Sequence, residues 1–180
     1  QNANTRTITQ EFNLASSTNR DSRFDWLIGS FFYDYRYFVD SIEFLDRNGN
    51  NLINPDIFGP ERSFTSRNTF TRDTWSLFAE GTYHVTDVFR ITAGFRYSQD
   101  DFKSVGLAFP YVGVTPRIVE TNEDRVTGRV NLQWDVLENS MIYGGWSSGW
   151  KPGTSNLTFG GLTSQIVGST VVDAYEVGMK

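Results

Sequence analysis

The sequence predicts an all-β chain of about seven antiparallel strands that form a segment of a transmembrane β-barrel. Three observations carry this prediction. Apolar residues alternate strictly with polar or small ones. In "FRITAGFRY" (89–97), Phe89, Ile91, Ala93, Phe95 and Tyr97 share one parity, and Arg90, Thr92, Gly94 and Arg96 share the other. That is the period of a strand with one apolar and one wet side. The connections between such stretches alternate between short and long. Finally, no apolar run approaches the ~20 residues of a membrane-spanning helix.

Strands are expected near 5–17, 23–40, 64–85, 89–104, 122–136, 140–151 and 170–180, each rich in Thr, Tyr, Phe, Val or Trp between turn clusters. The first ends at the short turn "TNRD" (18–21). The second, with "WLIGSFFYDYRYF", is aromatic on both parities, so its faces stay unassigned. A long loop at 41–63 follows. In the third strand Trp75, Leu77, Ala79, Gly81, Tyr83 and Val85 alternate with Ser76, Glu80, Thr82 and His84, and Phe78 is the one exception. A three-residue turn "TDV" (86–88) would pair Val85 with Phe89 and Tyr83 with Ile91, which keeps both apolar sets on one face.

After the fourth strand comes a second long loop, 105–121. The fifth strand places Val126, Gly128, Val130, Leu132, Trp134 and Val136 opposite in parity to Arg125, Thr127, Arg129, Asn131, Gln133 and Asp135. With "LEN" (137–139) as another three-residue turn, Ile142, Gly144 and Trp146 continue the apolar face, leaving Tyr143, Gly145 and Ser147 inside. The third long loop, 152–169, is rich in Gly, Ser and Thr. Short turns on one side and long loops on the other are the sidedness of an outer-membrane barrel.

Length supports a bilayer as the apolar partner. Eight rises of ~3.3 Å from Phe89 to Tyr97, tilted by ~40°, give roughly 20 Å of height, and Val126 to Val136 gives roughly 25 Å. An outer-membrane barrel carries an apolar band of about 25 Å. The expected lipid-facing and girdle residues are Trp75, Tyr83, Phe89, Ile91, Phe95, Val130, Leu132 and Trp134, with Tyr83, Phe89 and Trp134 near the short turns. Beyond Tyr97 the same parity turns polar at Gln99 and Asp101. The other parity collects Glu80, Arg90, Arg96, Arg125, Arg129 and Asp135, which are expected to face the lumen as structural pairs or as part of a ligand path. A narrow dry interior would hold that charge only at a desolvation cost, so a wide, wet or plugged barrel is favoured.

Composition narrows the functional classes. The hydrophobic fraction of 38% is low for a soluble core, while the aromatic fraction reaches 16%. Twenty-one acids and 16 bases are spread along the chain for a net charge of −5, which provides no basic footprint for nucleic acid. With no cysteine there is neither a disulfide framework nor a thiolate metal site. The chain opens at Gln1 without a signal-like segment and is expected to be a mature product or an excerpt of a longer protein.

Several stretches resemble the barrel of TonB-dependent outer-membrane receptors: "TQEFNLAS" (9–16), "DTWSLFAEGTYHVTDVFRITAGFRYSQDD" (73–101), "SMIYGGWSSGWKPGTSN" (140–156) and "DAYEVGMK" (173–180). The hairpin at 73–101 and the strand end "SSGWKPG" are the most specific, and the matches span nearly the whole chain. Trp150 stands where Phe or Tyr is commoner, and "VVDAYE" lacks the usual Pro-Glu. The resemblance implies an interior portion of a barrel of ~22 strands, with the plug, its TonB box and the closing strands outside this sequence. It also implies active transport rather than catalysis, in the outer membrane of a Gram-negative bacterium. The expected cargo is a scarce nutrient such as a ferric siderophore or other iron complex. TonB and its inner-membrane proton-motive complex would act through the plug, and outer-membrane lipid would surround the barrel. No cofactor is implied, and the loops at 41–63, 105–121 and 152–169 would supply part of the substrate surface.

Sharper motifs weigh less. "DRNGNN" (46–51) has the alternation of a calcium loop, yet an EF-hand needs Gly and Glu where Asn51 and Ile57 stand, so an exposed Asn/Gly turn is the stronger reading. His84 is the single histidine and gives no His cluster. Asp100 and Asp101, like Glu123 and Asp124, point to opposite faces of a strand, which disfavours a catalytic pair. The glycines of "GGWSSGWKPG" precede no helix and form no phosphate cradle. Two rival folds remain at this stage. One is a complete eight-strand barrel with a structural or adhesive role. The other is a soluble carbohydrate-binding β-sandwich using aromatics such as Trp26, Trp75 and Trp150. In the favoured reading the isolated polypeptide aggregates in buffer, because its edges and apolar face lack partners.

Overall fold

The computed structural model describes residues 2–17, 22–43, 64–109, 116–157 and 164–180. The described residues form nine strands: β1 (Asn2–Ala15), β2 (Phe24–Glu43), β3 (Phe64–Thr86), β4 (Phe89–Phe109), β5 (Arg117–Leu137), β6 (Ser140–Lys151), β7 (Thr154–Leu157), β8 (Ser164–Val167) and β9 (Thr170–Met179). Seven form one antiparallel sheet in the order β1-β2-β3-β4-β5-β6-β9, and β7 and β8 form a separate hairpin. The meander follows from the sequence, since each alternating stretch pairs with the next through its turn.

The register places the apolar parities on one face. Tyr83 lies opposite Ile91, Ala79 opposite Phe95, Ala93 opposite Val130, and Phe89 opposite Trp134. Ile142 and Trp146 extend this face to Met179 and Tyr175. The same logic assigns the faces of β2. Phe24 lies opposite Tyr83, Ile28 opposite Ala79 and Phe32 opposite Trp75, so the even positions join the apolar face and Tyr33, Tyr35 and Tyr37 take the other. These apolar side chains are uncovered: Phe95 is 60% exposed, Val126 63% and Val177 82%. Among the described residues the only buried hydrophobics are Val39, Phe102 and Val119. Among the described residues no second large sheet covers the first, which is not the two-layer arrangement of a β-sandwich. Nor does β1 pair with β9, so the sheet is not the closed eight-strand barrel.

Two details correct the sequence reading. Both described hairpin turns contain two residues, Asp87–Val88 and Glu138–Asn139, and each is preceded by a one-residue irregularity. Phe89 therefore pairs with Thr86 rather than Val85, and Ser140 with Leu137. A two-residue turn plus a bulged residue has the same odd count as a three-residue turn, so the face parity is preserved. The turn at 18–21 lies outside the described residues.

The long connections are also shorter than expected. β2 runs to Glu43, β4 to Phe109, and β5 starts at Arg117, so strand extends into both ends of the expected loop 105–121 and into the start of 41–63; 44–63, including the "DRNGNN" motif, and 110–115 lie outside the described residues. Segment 152–169 holds the β7–β8 hairpin, which sequence patterning missed.

The strands outrun the apolar band because the same face becomes ion-paired above it. Trp75 Nε1 donates to Gln99 Oε1 at 3.2 Å, marking the transition. Higher up, Arg36 bridges Asp34 (2.9 Å) and Asp73 (3.0 Å), Arg67 pairs with Asp40 (2.8 Å), and Lys103 with Glu120 (2.6 Å). Cross-strand opposite-charge pairs sustain an antiparallel ladder where no hydrophobic face is available.

Phe78, the exception in the alternation, has a packing reason. It points to the polar face, where Gly29 on the neighbouring strand leaves room for its ring. A Cβ at position 29 would clash with both the Phe78 ring and Asn13 Oδ1. Gly29→Leu is therefore expected to destabilise the full-length protein by about 1–3 kcal/mol through overpacking. Adding Phe78→Ala should recover most of the loss. Equilibrium unfolding in lipid or detergent provides the measurement, and additive losses would refute this packing account.

Candidate functional site

The polar face holds the chemistry. It is built by the even positions of β3 and β4 and the odd positions of β2 and β5, which the register brings together. Glu80, Arg90, Arg96, Arg125, Arg129 and Asp135 all lie on it. Near the short turns, Arg90 donates to Gln133 Oε1 (2.6 Å) and to Asp135 Oδ2 (3.0 Å), and His84 Nε2 meets Asp25 Oδ2 at 3.0 Å. Arg129 pairs with Glu80 across β4, which Gly94 permits by presenting no side chain between them. A Cβ on Gly94 would lie 3.2 Å from Glu80 Oε2.

Arg96 occupies the middle of this face. It donates to Ser76 Oγ at 3.0 Å and to Ser98 Oγ at 3.2 Å, and its guanidinium lies 5.3 Å from the Phe31 ring centre and 5.5 Å from that of Phe78. Both distances suit a cation–π contact. Among the described residues neither Arg96 nor Arg125 pairs with a carboxylate. Arg96 and Arg129, with Leu27, Phe78, Glu80 and Ser147, line an open groove of about 330 Å³.

Higher on the face stands a group that sequence reasoning missed. Asp100 is 1% exposed, accepts from Thr74 Oγ1 at 2.6 Å, and has Arg72 Nε 3.3 Å from its Oδ1. Glu123 lies directly opposite Asp100 on β5. Asp100 sits beyond the apolar band that ends at Tyr97, and burial pushes its carboxyl above the ordinary aspartate range, against the opposing pull of Thr74 and Arg72. Beside this group the rings of Tyr33, Tyr35, Tyr37, Phe70 and Phe102 follow one another at centroid separations of 5.8–6.5 Å. Arg72 caps the series, 4.9 Å from the Phe102 ring centre. The tyrosine part was legible as "YDYRY" once its parity was known; the Arg72–Asp100 contact was not, because it joins two strands.

A family model described as TonB dependent receptor-like, beta-barrel matches residues 1–180. The chain belongs to the TonB-dependent receptor β-barrel family. Its home is the outer membrane of a Gram-negative bacterium.

Solved receptors share the fold at low identity. The ferric yersiniabactin uptake receptor FyuA from Yersinia pestis superposes with a TM-score of 0.81 at 20% identity, covering 98% of this chain and 26% of that one. The siderophore receptor PiuA from Acinetobacter baumannii gives 0.65 at 15% identity, covering 98% and 29%. The alcaligin outer-membrane receptor FauA from Bordetella pertussis gives 0.59 at 12%, covering 98% and 26%. The chain thus spans between a quarter and a third of the length of these receptors. None of the curated proteins matches it.

Proposed function

We propose that this chain is an interior stretch of a ~22-strand, plugged barrel that takes up a ferric siderophore or another iron complex, energised through TonB. On this reading the apolar face meets outer-membrane lipid. The polar face meets the plug and the transport path, and no catalytic step is involved. The observation that carries the reading is the contrast between the two faces of one sheet. One bears uncovered apolar side chains over a band of bilayer height, and the other bears ion pairs, arginines and stacked aromatics. Arg96 and Arg125 offer cationic groups to an anionic chelate or to acids of a plug. Iron is the favoured cargo because two solved receptors of the same fold are described as a ferric yersiniabactin uptake receptor and a siderophore receptor.

Spin labels at positions 91, 93, 128 and 130 of the full-length receptor in bilayers should collide with oxygen rather than with an aqueous relaxation agent, and labels at 90 and 129 should do the reverse. Equal aqueous access on both parities would overturn the membrane reading. Separately, a deletion strain should lose growth on one ferric chelate as sole iron source. Unchanged growth on every chelate tried would remove iron as the cargo and leave the barrel intact.

A further inference from the structure

Three glycines lie under an aromatic ring from the neighbouring strand. Between β2 and β3, Gly29 stands opposite Phe78, and Gly81 lies under Phe24, which leans across from its own partner Tyr83. Between β6 and β9, Gly178 stands opposite Tyr143. A Cβ at any of the three would overlap the ring; at Gly81 the nearest ring atoms would be 2.8 Å away. Tyr143 is also held at its tip, because its hydroxyl donates to Glu176 Oε1 at 2.8 Å. A ring that covers a glycine on the next strand restores the contact that glycine lacks, and only glycine admits it.

These contacts fall on the two neighbouring strand pairs with the longest connections. β3–β4 and β5–β6 are joined by two-residue turns, which fix their registers directly. β2 ends at Glu43 and β3 begins at Phe64, while β6 ends at Lys151 and β9 begins at Thr170. Connections of that length absorb a shift of two residues at almost no entropic cost. Across the short-turned β5–β6 pair the comparable contact is loose, since a Cβ on Gly128 would lie 3.6 Å from the Trp146 ring. Facing does not settle the long-connected pairs either. A slip of one residue would turn a strand over, but a slip of two leaves Ile142, Trp146, Tyr175 and Val177 on the apolar face. What a two-residue slip changes is the glycine. Tyr143 would then face Glu176 or Lys180, and Phe78 would face Leu27 or Phe31.

We propose that these ring-on-glycine contacts are register keys, which select one pairing of β2 with β3 and of β6 with β9 where no tight turn does so. Tyr143 on Gly178 is the key for β9. In a closed barrel the stagger of the strands sets their tilt and the diameter. The keys therefore hold the lumen to one width, whatever cargo passes through it.

The test reads the β6–β9 register by disulfide trapping in outer membranes that carry the full-length receptor without other cysteines. Ser148→Cys is combined either with Asp173→Cys, its partner in the present register, or with Val171→Cys, its partner after a two-residue slip. Oxidation of the parent should trap the 148–173 pair in large excess over 148–171. Exchanging Glu176→Gly with Gly178→Glu sets a glycine opposite Tyr143 only in the slipped register. That exchange should raise the ratio of 148–171 to 148–173 disulfide at least tenfold. A purely space-filling role for Gly178 would lower both yields and leave the ratio unchanged, which would overturn the key. If the exchanged protein fails to reach the heat-modifiable folded form, Tyr143→Ala removes the ring instead and relieves all crowding at Gly178. The 148–171 share should again rise at least tenfold, and a ratio equal to the parent's would overturn the proposal.

Discussion

Val130→Arg in the full-length receptor is expected to lower folding stability by about 2–4 kcal/mol, whereas Asp124→Arg on the same strand and face should cost no more than about 1 kcal/mol. Val130 stands near the middle of the apolar run from Val126 to Val136, opposite Ala93 and Trp146. Asp124 lies opposite Gln99, where that face has already become polar. Six residues separate the two positions, roughly 15 Å of height at ~3.3 Å per residue and ~40° of tilt. An arginine at the bilayer midplane must strip its hydration or draw water inward, and near the interface it need do neither. The adjacent residue sharpens the contrast. Arg129 is native, faces the other way and is paired with Glu80. One step along the backbone therefore separates a tolerated arginine from a costly one. Denaturant-dependent folding into bilayers measures both variants. Similar costs at 130 and 124 would mean that the apolar face is covered by protein, and the transport reading would go with it.

How much of this could be seen in the sequence depends on whether the signal is local. Parity along a single strand is local, so "FRITAGFRY" and the 126–136 alternation placed Phe89, Ile91, Val130 and Trp134 on one face and Arg90 and Arg129 on the other before any pairing was known. Facing in β2 is not local, because Phe and Tyr occupy both parities; only the pairing of Phe24 with Tyr83 assigns it. Phe78 read as an error in the pattern until Gly29, on another strand, supplied the space for its ring. Strand ends were underestimated for a related reason. Above the band the ladder is held by contacts such as Lys103–Glu120 and Arg67–Asp40, whose partners lie far apart in sequence. The β7–β8 hairpin has four-residue strands and little alternation to detect, and its position depends on Arg72 and Glu123, 81 and 30 residues away from Gly153.

Arg72→Met should be the most damaging single change at the upper site, costing about 3–5 kcal/mol, because it leaves a buried carboxylate without its cation. Asp100 is 1% exposed and faces Glu123 across the strand pair, so in the variant two carboxylates confront each other with only Thr74 donating to Asp100. In the parent, Arg72 offsets that repulsion. Its pull on the Asp100 carboxyl outranks the opposing push of Glu123, although burial outweighs both. Replacing both partners, Arg72→Met with Asp100→Leu, removes the stranded charge and should recover most of the loss. A pH series separates this electrostatic account from lost packing. Without Arg72 the folded-state pKa of Asp100 rises further above its unfolded value. Protonation then restores a neutral side chain, so the penalty is full above the raised folded pKa and shrinks as pH falls through it toward the unfolded value. A packing defect would cost the same at every pH. A pH-independent loss, or a double variant no better than Arg72→Met alone, would show that the Asp100 carboxylate is hydrated in the assembled barrel and that Arg72 acts there only by its bulk.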